Sequence, residues 1–198
     1  NMLKRMRIGI FGGSFNPIHV GHISLARQLL HLAQLDEVWM MVSPQNPLKQ
    51  GSTDMLCDML RYLMVRVAVH GEQGIRASGY EMRLPKPSYT WNTLTHLRQD
   101  FPQHTFILLI GGDNWQLFPK WYHAEDILRH HQVIVYPRRG SDIDRERLPA
   151  GLRVVDAKLL DISSTTVRQK VLRGESIKGL VPQAIEPLVG RVYSSSKC

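Results

Sequence analysis

Ile8-Gly9-Ile10-Phe11-Gly12-Gly13-Ser14-Phe15-Asn16-Pro17-Ile18-His19-Val20-Gly21-His22 is the stretch from which the rest of the chain can be read. Its first four residues are an apolar strand pattern, and a helix-like pattern follows from Ile23 to Ala33. Between them, a glycine pair lets backbone approach a ligand closely because no Cβ stands in the way. Two histidines sit at the mouth of the helix, whose N-terminus offers N–H groups and the positive end of a dipole to an anion. Strand, glycine turn and helix start together predict a phosphate site.

Outward from this stretch, strand and helix patterns alternate. Arg7–Phe11 is a strand, and the helix after it runs to about Leu35. Glu37–Val42 is apolar on both faces, Val38, Met40 and Val42 on one and Trp39 and Met41 on the other, as a parallel strand covered on both sides should be. Asp54 to His70 reads as a long helix with Leu56, Leu60, Leu63 and Val67 on one face, the apolar stripe of an amphipathic helix. Ile75–Ala77, Thr105–Ile110, Val133–Tyr136 and Leu152–Val155 read as further strands. Tyr89–Asp100, Trp121–His130, Ser163–Gly174 and Pro182–Val192 read as helices. The predicted fold is α/β: a doubly wound, Rossmann-like, mostly parallel sheet with helices on both faces and a small C-terminal helical part. Two strands end in Gly-Gly, Phe11 into Gly12-Gly13 and Ile110 into Gly111-Gly112. These two are expected to be neighbours at the point where the winding reverses, where ligands of such sheets bind.

The length of 198 residues suits one domain, read as residues 2–193, with 194–198 an expected disordered tail and Asn1 a tag remnant. No apolar run reaches the roughly 18 residues needed to span a bilayer, and no signal peptide is readable. Cys57 and Cys198 show neither metal spacing nor a disulfide framework, so a cytoplasmic protein without membrane contact is expected. The net charge of +8 suits anionic substrates or general solubility. The basic residues are scattered, with Arg138-Arg139 the only dense pair, so nucleic acid is the weaker explanation. A homo-oligomer is left open.

The glycine turn is neither the dinucleotide fingerprint nor a P-loop, which argues against a nicotinamide-dependent dehydrogenase and a P-loop kinase. The run Gly-Gly-x-Phe-Asn-Pro-x-His-x-Gly-His resembles the first signature of the nucleotidylyltransferase superfamily. Ile162-Ser163-Ser164-Thr165-Thr166-Val167-Arg168 resembles its second. Pro87-Ser88-Tyr89-Thr90, Gly111-Gly112-Asp113-Asn114 and Phe118-Pro119-Lys120-Trp121-Tyr122 are similar to segments of the bacterial nicotinate-nucleotide adenylyltransferases. The resemblance implies ATP across both helix N-termini, on Gly12, Gly13, Ser14, His19, His22, Ser163, Ser164 and Arg168. It implies nicotinate mononucleotide at Asn16, Lys49, Thr90, Asp113, Trp121 and Tyr122, with Arg138 a phosphate candidate by position. Trp121 would stack on the pyridine ring, Asp113 would hold a ribose hydroxyl, and the Tyr122 N–H would meet the nicotinate carboxylate.

The implied reaction is transfer of AMP from ATP to nicotinate mononucleotide, releasing pyrophosphate. His19, His22, Lys49 and Arg168 are the candidate catalytic groups, holding and neutralising phosphates. No carboxylate cluster marks a protein metal cage, so Mg²⁺ is expected to arrive with ATP. The sister reading is an adenylyltransferase for nicotinamide mononucleotide or phosphopantetheine. The chain departs from the superfamily at Asn16, which replaces the usual aspartate, and in the loop Pro47-Leu48-Lys49.

Overall fold

Strands that are apolar on both faces demand cover on both sides, and the computed structural model, which describes residues 4–45 and 55–195, supplies it. β1 (Arg7–Gly13), β2 (Glu37–Val42), β3 (Ile75–Ser78), β4 (Thr105–Gly111), β5 (Gln132–Tyr136) and β6 (Leu152–Val154) form one sheet. Their order is β3-β2-β1-β4-β5-β6, and every pairing is parallel. β1 and β4 are neighbours, with Phe11 opposite Leu109, so the two Gly-Gly strand ends open side by side at the switch point. The expected doubly wound α/β fold is the one observed.

Side chains alternate between two cores. Phe11, Val38, Met40, Val42, Ile107 and Leu109 face α1 (Val20–Leu32), α2 (Asp58–Ala68), α6 (Ser164–Leu172) and α7 (Glu186–Ser195). Ile8, Ile10, Met41, Phe106, Leu108 and Ile110 face α3 (Thr90–Asp100), α4 (Gly112–Leu117) and α5 (Ala124–His130). Among the described residues, no helix is long and apolar enough to cross a membrane.

Two helix readings need correction. α5 starts at Ala124 rather than Trp121, because Phe118–Lys120 forms a 3₁₀ turn and Trp121 leaves it in extended conformation. α2 buries Arg61, Met64 and Val65, whereas Leu63 and Val67 are exposed and Leu56 precedes the helix. The hydrophobic stripe misplaces the buried face because a cation occupies it. Arg61 is 0% exposed. It donates to the carbonyls of Leu56 (2.8 Å), Ser14 (2.6 Å) and Ser43 (2.8 Å) and pairs with Asp58. The cysteine expectation is also corrected, since Cys57, the N-cap of α2, is disulfide-bonded.

Removing Arg61 takes the guanidinium donor from three carbonyls and one ion-pair partner from Asp58. Arg61→Ala is expected to lower the unfolding free energy by about 3 kcal/mol or more in urea titration. A loss below about 1 kcal/mol would show that water replaces the guanidinium without penalty.

Candidate active site

The mouth of α1 is built from its two histidines. His19 is the N-cap, and its Nδ1 accepts the Gly21 N–H at 3.0 Å. His22 reaches back, its Nδ1 accepting the His19 N–H at 3.0 Å, and the two rings stack with centroids 3.7 Å apart. This is a capping box made with imidazoles. The His-x-Gly-His spacing follows from it: a Cβ on Gly21 would lie 2.8 Å from His19 Cε1, so the residue beneath the ring must be glycine. The Val20 N–H is taken by the Leu180 carbonyl at 2.9 Å and the His22 N–H by the His19 carbonyl at 3.1 Å. The backbone donors expected to face an anion at this helix are therefore already used.

The imidazoles take their place. Each Nδ1 is an acceptor, so the ring proton resides on Nε2, and both residues line the cavity described below. Burial, then the nearby Arg138 charge, lowers the His19 pKa to about 4. His22 is held well below the usual histidine range by burial, then His19, then Arg138. Both rings are neutral at pH 7 and act as N–H donors rather than cations. Phe15 supports them: it is buried in a left-handed conformation, φ 46°, with its ring edge-on to His22 at 5.0 Å.

Residues 15–19 are buried without regular structure, so their backbone needs outside partners. The second signature supplies them. Ser164 Oγ donates to the Pro17 carbonyl at 2.8 Å, and Arg168 Nη1 donates to the Asn16 carbonyl at 2.7 Å. Ser163 caps α6 through the Thr166 N–H at 3.0 Å. Asn16 Oδ1 accepts from the Leu56 N–H (3.1 Å) and the Tyr193 hydroxyl (2.7 Å). Asn16 lines neither of the cavities below, and its uncharged amide oxygen suits these two neutral donors.

Two cavities open at the carboxyl ends of β1 and β4. One, of about 260 Å³, is lined by Ser14, His19, His22, Arg138, Ile162 and Ser164 among others. The other, of about 250 Å³, is lined by Ser43, Glu81, Ser88, Thr90, Thr93 and Trp121 among others. Gly12, Gly13, Asn114 and Tyr136 line both, so the glycine pair is the shared wall. Trp121 is braced by Phe118, ring centroids 5.1 Å apart.

The remaining expected site residues are distributed differently. Asp113 and Arg138 form an ion pair at 3.3 Å and line a third hollow with Arg139, Leu159 and Asp161. That hollow adjoins the histidine cavity through Arg138, away from Thr90 and Trp121. Tyr122 is exposed against Tyr89, and neither Ser163 nor Arg168 is among the described residues lining these three hollows. Lys49 lies outside the described residues. Sequence reading missed Asn114, Tyr136 and Glu81. The position of Asn114 directly after Gly-Gly-Asp, and of Tyr136 at a strand's end, were the available signals; Glu81 had none.

Comparison with known proteins identifies the family and the fold. The cytidylyltransferase-like family model matches residues 10–170. The probable nicotinate-nucleotide adenylyltransferase of Bacteroides fragilis is 42% identical over 92% of this chain and 90% of its own length. That of Cytophaga hutchinsonii is 44% identical over 96% of this chain and 100% of its own length. The structure of Plasmodium falciparum nicotinic acid mononucleotide adenylyltransferase complexed with NaAD has the same fold, at a TM-score of 0.74 and 20% identity, covering 94% of this chain and 97% of that one. The chain belongs to the nicotinate-nucleotide adenylyltransferase family, within the cytidylyltransferase-like nucleotidyltransferases.

Proposed function

We propose that the protein transfers AMP from ATP to nicotinate mononucleotide, forming nicotinate adenine dinucleotide and pyrophosphate. The observation that carries this reading is the pair of cavities joined across Gly12-Gly13, one lined by imidazoles and Arg138, the other by an aromatic platform and hydroxyls. A dinucleotide has two nucleoside halves and one phosphate bridge, and the shared glycine wall is where backbone can come closest to that bridge.

ATP occupies the histidine cavity, with its phosphates toward Gly12, Gly13 and the two Nε2–H donors. The acceptor occupies the Trp121 cavity, with its ring on the indole and its 5′-phosphate toward the glycines. The phosphate oxygen attacks the α-phosphorus in line, a new P–O bond forms, and the α–β bridging bond breaks as pyrophosphate leaves with the electron pair. A phosphate monoester has a second pKa near 6, so it is already a nucleophilic anion at pH 7 and needs no general base. The protein's part is alignment and charge stabilisation. His19 and His22 donate to oxygens on which charge builds, and Arg138 supplies the fixed positive charge. Arg168 holds the Asn16 carbonyl and so steadies the corner. Lys49 is retained as a phosphate ligand on the family resemblance, and Asp113 as a ribose ligand approached from the Arg138 side. ATP enters as its Mg²⁺ complex, in which the ion neutralises phosphate oxygens. Among the described residues, no cluster of three histidine, cysteine or acidic side chains could hold a metal.

A pyrophosphate-release assay with ATP should show turnover with nicotinate mononucleotide and far less with phosphopantetheine. Equal use of phosphopantetheine would reject this acceptor assignment. His22→Ala is expected to lower turnover at least about tenfold, the size of losing one aligned donor. Turnover unchanged from wild type would take His22 out of the mechanism. Trp121→Ala should raise KM for the mononucleotide while leaving KM for ATP nearly unchanged. An equal rise in both would reject the stacking role.

A further inference from the structure

The acceptor cavity has an uneven charge balance. Among the described residues that line it there is no lysine, arginine or histidine, and its only carboxyl group is Glu81. Glu81 is 9% exposed, in the 3₁₀ turn Tyr80–Arg83 after β3. Its partners are hydroxyls: Thr93 Oγ1 donates at 3.1 Å, and Ser43 also bonds to it. Ser88 Oγ, in the same wall, is buried with no hydrogen-bond partner. A buried hydroxyl without a partner in a cavity wall marks a place where a ligand atom completes the hydrogen bonding.

We infer that Glu81 is a specificity-determining residue of the acceptor cavity, setting how strongly the site distinguishes a pyridine ring that carries a carboxylate from one that carries an uncharged carboxamide. This rests on the adenylyl-transfer reading above. The two rings have the same size and the same cationic ring nitrogen and differ in one negative charge. Shape and stacking on Trp121 therefore cannot separate them, and the electrostatics of the wall must. An ionised Glu81, with no countercharge among the described residues that line the cavity, repels the carboxylate but not the carboxamide. A neutral Glu81 removes that repulsion and leaves Ser88 as a donor to the substituent.

Burial pushes the Glu81 pKa up to about 7, against the lowering effect of Thr93 and Ser43. Other titratable and charged groups surround it. On its own turn, Tyr80 is bonded to Asp100, and Arg83 is exposed. β5 brings Tyr136, whose phenol is pushed up to about 12 by burial. α2 brings Arg61 to the Ser43 carbonyl, its charge matched by Asp58. α3 brings the uncharged Thr93. Preference for the carboxylate acceptor is therefore greatest below pH 7 and falls as Glu81 ionises.

The test is the ratio of kcat/KM for nicotinate mononucleotide to that for nicotinamide mononucleotide, measured from about pH 6 to about pH 8.5 in wild type, Glu81→Gln and Thr93→Val. Both acceptors carry the same phosphate, so its titration cancels in the ratio. The wild-type ratio is expected to fall about tenfold across this range, close to the water-screened limit of one like-charge contact. Glu81→Gln should hold the low-pH ratio throughout. Thr93→Val removes a donor that favours the ionised form, so its midpoint should move to higher pH. A wild-type ratio that does not change with pH, or a Glu81→Gln profile parallel to wild type, overturns the inference. If wild type adenylylates neither mononucleotide, the transfer reading itself fails and this inference falls with it.

Discussion

The structure depends on how the carbonyl groups of the Ser14–Pro17 corner are satisfied. Here the chain leaves the central strand and turns, buried, into the first helix, and a buried carbonyl without a donor costs about 1–3 kcal/mol. Arg61 serves Ser14, Arg168 serves Asn16 and Ser164 serves Pro17. These donors come from α2 and α6, elements far apart in sequence, so the corner cannot take its shape until both are packed. The two sequence signatures are thus halves of one construction. Ser164 and Arg168 of the second brace the loop of the first.

This bracing explains how the site can use neutral histidines. With the α1 N–H groups already bonded to imidazole nitrogens and to Leu180, the helix end passes its donor character outward through the rings. A charged imidazole could not accept those backbone bonds at Nδ1. The capping geometry and the depressed pKa values therefore demand the same protonation state. Arg138, which lines the same cavity, provides a positive charge and at the same time disfavours protonation of the rings.

Much of this was legible beforehand because it rests on local pattern. Strands that are apolar on both faces, alternating with helices, specify a parallel sheet covered on both sides, and the two Gly-Gly strand ends marked the switch point. What was not legible is which polar residues take inward positions. On α2 the apolar stripe pointed to Leu63 and Val67, but the corner's need for a donor turned Arg61 inward. Asn16, expected against substrate, is turned toward Leu56 and Tyr193. Neither partner is near it in sequence, so no local pattern announces the contact.

The sequence by itself determined the sheet, its helices and the switch point at the two Gly-Gly strand ends. These follow from periodicity, glycine's missing Cβ and short-range hydrogen bonding, all of which act over a few residues. Only the tertiary structure decided that two cavities share the Gly12-Gly13 wall, that both imidazoles are neutral, and that Glu81 enters the cavity lined by Trp121. Those properties come from burial and from charges brought together across the chain, and burial exists only once the elements have packed.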